Sequence, residues 1–140
     1  MQDAKANRLD AETRKRLALE FLDTLATRDL AQVLSRMTDE PSWAFFKQQF
    51  PGREGVEAIL RAAYELYEPG SQDRDIDAVY CDGDTVLIKT TMRARTFKGE
   101  DYENLYIMIV HFEGEKIRHV EEFMDTAYGN EKFAGWEMSS

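Results

Sequence analysis

The last apolar run of the sequence contains the residue best suited to proton transfer. Glu122 alternates with Val120 and Met124, and side chains two positions apart share one face of a strand. A carboxylate that projects into an apolar cavity has its pKa raised towards neutrality, where it can serve as a general base or acid. Glu122 is therefore the first catalytic candidate, and an exposed charge is the competing interpretation.

The register of the hairpin that carries Glu122 decides between the two interpretations. A two-residue turn at residues 114–115 pairs Met108 with Glu121, whereas a three-residue loop pairs Met108 with Val120. A slip of one residue moves every side chain of a strand to the opposite face of the sheet. The sequence permits both registers.

The chain has two histidines, His111 and His119, one on each strand of this hairpin. A histidine can carry protons near neutral pH, so His119 is the second catalytic candidate. If Glu122 points inward, His119 points outward by parity, where a structural role or a subunit interface is favoured. In the other register His119 shares the pocket face with Glu121 and Phe123. The histidines lack a converging third ligand, which predicts that there is no metal site.

A third catalytic candidate, Tyr106, shares a strand face with Asn104 and Met108. Either polar side chain could hydrogen-bond a ligand oxygen, although a buried tyrosine usually packs its ring and bonds any convenient acceptor. Other aromatic and methionine side chains are interpreted as pocket walls. The predicted substrate-binding residues are Trp43, Phe45, Tyr64, Tyr67, Met92, Asn104, Met108, Val120 and Met124.

Helical periodicity predicts three helices in the first half of the chain. Apolar spacing indicates one over Asp10–Thr27 and a short one after Asp29. Pro41 then breaks helicity, and the aromatic segment 43–50 is expected to cross the core without regular structure. A third helix is predicted to begin at residues 51–55 and to end before Pro69.

The period changes to two after residue 70, which predicts antiparallel strands at about 74–81, 85–97, 103–113 and 116–125. The predicted strand at 103–113 is apolar at every position from Leu105 to Val110, so both of its faces must be covered. Helices can cover one face. A second copy of the chain is the simplest cover for the other, so we expect a homodimer or higher homo-oligomer.

Composition excludes several classes of partner. The formal charge of −9 repels phosphate backbones and anionic lipids, so neither nucleic acid nor membrane is expected to bind.

A length of 140 residues favours one domain over 1–140, with frayed ends at residues 1–9 and 139–140. The start lacks a signal peptide and Cys81 is the only cysteine, which favours a cytoplasmic location. The glycines at 52 and 55 do not form a phosphate loop.

Four segments, in order, resemble the NTF2-like (SnoaL-like) superfamily, and the similarity runs from about Thr13 to Tyr128. The segments are Thr27-Arg28-Asp29-Leu30, Gly52-Arg53-Glu54-Gly55-Val56-Glu57-Ala58-Ile59, Phe112-Glu113-Gly114-Glu115-Lys116-Ile117 and Glu122-Phe123-Met124-Asp125. The resemblance implies an α+β fold, in which a curved antiparallel sheet and three N-terminal helices form a cone around a pocket. It also favours the register in which Glu122 points inward.

The resemblance constrains the chemistry residue by residue. The three proton-transfer positions of ketosteroid isomerases fall at Phe21, Phe45 and Met108, none of which can move a proton. Glu122 matches the catalytic carboxylate of limonene-epoxide hydrolases. That family also has an arginine and a second acid two residues apart on an earlier strand, where this chain has Arg93-Ala94-Arg95, so the arginine can be matched but the second acid is missing. The superfamily has non-catalytic members, so fold alone does not settle function.

Two functions follow as expectations. The first is a cofactor-independent enzyme, using no metal or nucleotide, that acts by proton transfer on a small hydrophobic, ring-containing molecule as an isomerase, dehydratase, lyase or hydrolase. The second is a non-catalytic module for ligand binding or dimerisation. The environment of Glu122 discriminates between them: a closed pocket with Tyr106 beside the carboxylate favours the enzyme.

Overall fold

The computed structural model describes residues 9–136. Its helices are α1 (Ala11–Leu25), α2 (Leu30–Ser35), α3 (Gly52–Leu66) and α4 (Thr126–Lys132). Aspartates cap the first two helices: the Asp10 carboxylate accepts from the Thr13 backbone N–H at 2.7 Å, and the Asp29 carboxylate accepts from the Gln32 backbone N–H at 3.2 Å. The expected fraying at the two ends lies outside the described residues, except at position 9.

The strands form a single curved, unclosed sheet in the order β2-β1-β6-β5-β4-β3. Their bounds are β1 Met37–Phe45, β2 Gln48–Pro51, β3 Asp73–Asp82, β4 Thr85–Arg95, β5 Asp101–Glu113 and β6 Lys116–Met124. Only the β1–β6 pair is parallel. The four predicted strands are confirmed, as is the α+β cone.

The expectation of an irregular crossing at residues 43–50 is wrong. Most of this segment is a hairpin in which Phe45 pairs with Gln48 and Ser42 pairs with Pro51. Pro41 is tolerated because it lies where the ladder to β6 is interrupted, between Met37 and Ser42, so no ladder bond needs its missing N–H. The crowded aromatics hide the period of two because both faces of this strand are partly buried.

The C-terminal helix α4 was not predicted either. It has only seven residues, too few to show a helical period, and Gly129 lies within it. The Asp125 carboxylate begins the helix by accepting from the Tyr128 backbone N–H at 3.1 Å, a typical N-cap. Helix α4 matters to function because the chain that follows it covers one side of the site.

The core lies between the helices and the inner face of the sheet. Helices α1 and α3 contribute Phe21, Leu22, Val56 and Leu60, and the inner face contributes Val86, Ile88, Met108 and Val110. A second buried cluster, around Tyr67, Met92, Tyr102 and Tyr106, lies towards α4. On the outer face of β5, Leu105 is 44% exposed. Within residues 9–136, no helix is both long and apolar enough to cross a membrane.

Candidate active site

The β5–β6 hairpin places Glu122 on the inner face through a register that neither sequence alternative included. The turn starts as a two-residue turn, with Glu113 opposite Lys116, but His111 lies opposite His119 and Met108 opposite Glu122. The pairing shifts because β6 carries one extra residue near Arg118, as in a β-bulge. This single insertion turns the Glu122 side chain towards the helices.

Glu122 lies between two adjacent chambers and lines both of them. The inner chamber has a volume of about 60 Å³ and the outer chamber, towards α4, about 430 Å³. Both chambers are lined by Ile59, Ala63, Tyr67, Tyr106 and Glu122. The outer chamber falls within the range of about 300–1,000 Å³ found for small-molecule sites, whereas the inner one holds only a small group.

Among residues 9–136, one hydrogen bond holds the Glu122 carboxylate, and the charge of Arg74 acts on it. The Trp43 indole N–H donates to Glu122 Oε1 at 3.1 Å. Burial raises the pKa of Glu122, and the Trp43 hydrogen bond and the positive charge of Arg74 only partly oppose this rise. A buried carboxyl whose pKa moves towards neutrality can exchange a proton with a bound molecule.

Arg74 is a functional candidate that the sequence reasoning missed. It lies on β3 opposite Met92, lines the inner chamber and donates to Gln72 Oε1 at 3.4 Å. Burial lowers its pKa, against the opposing effects of Tyr106 and Glu122, but a guanidinium keeps its charge in proteins. The sequence gives no usable signal for Arg74, because its place opposite Met92 depends on a strand register that shifts between Ile76 and Ala78.

Three tyrosine hydroxyls form a chain beside Glu122. The Tyr67 and Tyr106 oxygens are 3.0 Å apart, the Tyr106 and Tyr102 oxygens are 2.6 Å apart, and the Asn104 amide nitrogen donates to Tyr102 at 2.8 Å. Burial raises the pKa of Tyr67 and Tyr106 well above the ordinary value. These hydroxyls are therefore neutral hydrogen-bond donors.

Most of the predicted binding residues line the two chambers. Trp43, Tyr64, Met92 and Met108 line the inner chamber, Phe45 and Met124 line the outer one, and Tyr67 lines both. Val120 and Asn104 line neither chamber. Val120 is fully buried in the core, and the Asn104 amide is occupied by Tyr102 and the Asp125 carbonyl.

The outer chamber has aromatic walls that the sequence reasoning missed, namely Phe50, Phe133 and Trp136. Two buried polar atoms in the chamber walls, Tyr64 Oη and the Trp136 indole N–H, have no hydrogen-bond partner within the described range 9–136. A bound molecule carrying oxygen atoms would give them partners, since an unpaired buried donor is costly.

His119 does not reach the chambers. It lies on the outer face, where Nδ1 is 2.6 Å from the Ser42 hydroxyl and its ring packs at 5.5 Å from that of His111. His111 Nε2 in turn lies 2.6 Å from the Glu121 carboxylate. This arrangement removes His119 from the catalytic candidates and gives the histidines a structural role on the outer face.

Arg93 also lies on the outer face, where it forms ion pairs with Asp73, Asp75 and Glu103 at 3.1, 3.0 and 3.6 Å. Arg95 is exposed and pairs with Glu68 and Asp101 at 3.5 and 3.4 Å. The arginine whose charge acts on Glu122 is Arg74 instead, so neither arginine of the segment 93–95 takes the place of the epoxide-hydrolase arginine. Among residues 9–136, no group of three or more histidine, cysteine or acidic side chains is placed to hold a metal ion.

Solved structures share this architecture at low sequence identity. An NTF2-like protein of unknown function from Burkholderia pseudomallei is 17% identical, with a TM-score of 0.77 over 88% of this chain and 98% of its own. A provisionally assigned SnoaL-like polyketide cyclase from a Jannaschia species is 13% identical, with a TM-score of 0.79 over 93% and 99%. A provisionally assigned isomerase from Bacillus subtilis is 13% identical, with a TM-score of 0.77 over 91% and 97%.

These likenesses establish the fold. No curated protein sequence shows significant similarity to the chain. The family model of the SnoaL-like domain matches residues 18–120, a range that spans most of the chain, from α1 to the inner-face residue Val120. The chain therefore belongs to the SnoaL-like domain family, within the NTF2-like superfamily.

Proposed function

We propose that the chain is a cofactor-independent enzyme that transfers a proton on a small hydrophobic, ring-containing organic molecule. The observation that supports this most is the Glu122 carboxyl, half-buried at the junction of the two chambers, where desolvation raises its pKa. Removing a carboxylate from water into apolar surroundings is unfavourable, and a purely structural role does not require a carboxylate at such a place. Isomerase, dehydratase, lyase and hydrolase chemistry all use such a group.

The chambers account for the class of substrate. The outer chamber is walled by Phe45, Phe50, Phe133 and Trp136, which suit a flat apolar ring. The inner chamber contributes Arg74 and the Tyr64 hydroxyl, which suit a polar substituent of that ring. Glu122 and Tyr106 lie between the two regions, where the ring and its substituent would meet.

Turnover by the Glu122→Gln variant tests this proposal. Compounds that co-purify with the protein are identified by mass spectrometry, and these compounds together with cyclic ketones, alcohols and epoxides are incubated with the enzyme. Glutamine keeps the shape of the side chain but cannot titrate, so turnover should fall by roughly 10²–10⁴-fold. Glu121→Gln, on the outer face of the same strand, is the matched control and should retain wild-type turnover. Full activity of Glu122→Gln would contradict the proposal.

A non-catalytic binding module is the second candidate. It is favoured by the loss of all three isomerase groups, since Phe21 and Met108 are buried apolar side chains and Phe45 is a wall of the outer chamber. A compound that binds in the chambers and is recovered unchanged after long incubation with the wild-type protein would support this function instead.

A further inference from the structure

Ion pairing divides the arginines of the chain into two groups. Among residues 9–136, six arginines lie within 4.0 Å of an acidic side chain: Arg14, Arg16, Arg36, Arg61, Arg93 and Arg95. Of the others, Arg53 and Arg118 are exposed, where water solvates the charge. Arg28 and Arg74 are half-buried, and neither forms an ion pair within the described part of the chain. A half-buried guanidinium without a counter-ion is unfavourable, so these two positions suit an anionic ligand.

Arg74 has unused hydrogen-bond donors at the wall of the inner chamber. Its Nη1 donates to the Gln72 side-chain oxygen at 3.4 Å, whereas a guanidinium carries five N–H donors. Most of these donors therefore have no acceptor among residues 9–136. Loss of hydration lowers the pKa of Arg74, and the acids Glu122 and Asp23 oppose this effect only in part.

A competing explanation is that Arg74 serves to stabilise the Glu122 carboxylate. An arginine with that role forms forked hydrogen bonds to the carboxylate and lowers its pKa. No contact of this kind within 4.0 Å joins the two side chains in the described structure, and the pKa of Glu122 is raised. The charge of Arg74 is thus available to a third group.

A second unused donor lies in the same chamber. Tyr64 is 8% exposed and lines the inner chamber, and its hydroxyl has no hydrogen-bond partner among residues 9–136. Arg28 donates to the Tyr67 carbonyl at 3.5 Å, and its guanidinium carbon lies 5.5 Å from the centre of the Tyr64 ring. Positive charge and an unused donor therefore converge on the inner chamber of a chain whose formal charge is −9.

We propose that the inner chamber binds a carboxylate group, which accepts hydrogen bonds from Arg74 and Tyr64, and that the substrate is a ring-bearing carboxylic acid. A carboxylate is flat and matches the fork of a guanidinium, and it is small enough for a chamber of about 60 Å³. This inference rests on the proposed function only in placing the ring against the aromatic walls of the outer chamber. It concerns binding and assigns no step of the reaction.

Binding of matched acids and amides tests the inference separately from catalysis. The probes are cyclohexanecarboxylate and 1-cyclohexenecarboxylate, each compared with its neutral amide, and Trp43 and Trp136 report binding by fluorescence because they line the two chambers. The titrations use the Glu122→Gln background, so that neither turnover nor the charge of Glu122 contributes. Each acid should bind roughly 10- to 100-fold more tightly than its amide, as expected for charge-assisted hydrogen bonds.

Substitution of Arg74 in this background identifies the group that recognises the carboxylate. Arg74→Met keeps the unbranched stem but removes the charge, so acid affinity should fall by roughly 10- to 100-fold while amide affinity stays unchanged. Arg61→Met is the matched control, because Arg61 is exposed and lines neither chamber. Arg74→Lys keeps the charge without the fork and should retain a weaker preference for the acid. This variant keeps the inference testable if Arg74→Met does not fold by circular dichroism.

Urea unfolding separates recognition from a structural role of Arg74. Because the free protein holds this charge without a counter-ion, Arg74→Met should be at least as stable as its parent. Tyr64→Phe should weaken acid binding by roughly 3- to 10-fold, and unchanged affinity would remove Tyr64 from the proposed site.

Two results would overturn the carboxylate site. One is equal affinity of the acids and their amides for the parent protein, and the other is unchanged acid affinity in Arg74→Met. Both are binding results obtained without turnover, so the proton-transfer role of Glu122 would still be judged by the activity of its own variant.

Discussion

At the scale of single residues, the proposed proton transfer depends on one carboxyl group in apolar surroundings. Glu122 has one neutral donor, Trp43, on its carboxylate, and the nearest strong cation, Arg74, forms no ion pair with it within 4.0 Å among the described residues. The Trp43 hydrogen bond and the Arg74 charge offset only part of the hydration that the carboxylate loses, so its ionised form is less stable here than in water. The group is thereby prepared to accept a proton and to lose it again.

The raised pKa of Glu122 makes folding stability depend on pH. Its native pKa lies above the ordinary 4.5, so the native state binds the proton more tightly than the unfolded state does. The free energy of unfolding should therefore fall as pH rises from 4.5 through the native pKa. Glu122→Gln removes this loss, so its stability relative to wild type should increase over that window.

Urea unfolding at a series of pH values measures this difference between the two proteins. Glu113→Gln is the matched control, because Glu113 is an exposed carboxyl at the end of β5 and stays in water in both states. A stability difference between Glu122→Gln and wild type that does not change with pH would show that burial does not penalise the Glu122 charge.

A residue of the site can be predicted from the sequence only where a local pattern determines the direction of its side chain. Met92 was predictable because alternation along a strand settles the face of a side chain. The inward face of Glu122 was expected only from the family resemblance, because the register that sets it depends on the bulge in β6. Arg74 was not predictable, since a register shift between Ile76 and Ala78 interrupts the alternation of β3. The chain of tyrosines was not predictable either, because Tyr67 and Tyr102 are brought together by tertiary packing that no local pattern encodes.

At the scale of elements, helix α3 is positioned by a close approach of its first turn to β2. A Cβ atom at Gly55 would overlap the carbonyl carbon of Phe50 and lie 2.8 Å from its oxygen. Both atoms belong to the backbone, so a rotamer change cannot relieve the overlap. The glycine thus allows α3 to lie close enough to carry Tyr64 and Tyr67 into the chambers.

Gly55→Ala tests this close approach. Alanine favours a helix over glycine by about 1 kcal/mol, but the overlap should outweigh this gain and lower the free energy of unfolding by about 1–3 kcal/mol. Urea unfolding measures the change, and Glu54→Ala, an exposed substitution in the same turn, should stay within about 0.5 kcal/mol of wild type. A Gly55→Ala protein as stable as wild type would show that α3 is free to move.

Three helices and four strands were predicted because their periods of 3.6 and two extend over enough residues to be recognised. The elements that were not predicted are either too short to show a period or lack a contrast between a buried and an exposed face. Strand β2 has four residues and α4 has seven, and β1 is partly buried on both faces. The bulge near Arg118 leaves no sequence mark, yet it sets the face on which Glu122 lies.

At the scale of the whole molecule, the outer face of the sheet is the surface that remains to be covered. Leu105 is 44% exposed, and Ile107, Ile109 and Phe123 beside it are half-buried. The same face holds the His111–Glu121 pair. We propose, as the apolar strand predicts, that a second copy of the chain packs on this face by a two-fold interface.

Light scattering of the wild-type protein and of the Ile107→Glu variant tests whether the chain forms a homodimer through this face. The wild-type protein should be dimeric at micromolar concentration, and the introduced carboxylate should give a monomer because it would be buried beside its own symmetry mate. Gln32→Glu, at an exposed position of helix α2 on the opposite side of the sheet, is a control that should remain dimeric. A wild-type monomer at micromolar concentration would remove the support for this interface.

The most direct test of the central claim is the pKa of Glu122 itself, measured by carbon NMR of the labelled side-chain carboxyl during a pH titration. Glu122→Gln assigns the resonance by its disappearance, and no substrate is needed. We expect a midpoint clearly above the ordinary value of 4.5, because the carboxyl is half-buried between the two chambers and loses hydration there. A midpoint at or below 4.5 would show that the carboxylate is well solvated or fully paired, and Glu122 could not then be the proton-transfer group proposed here.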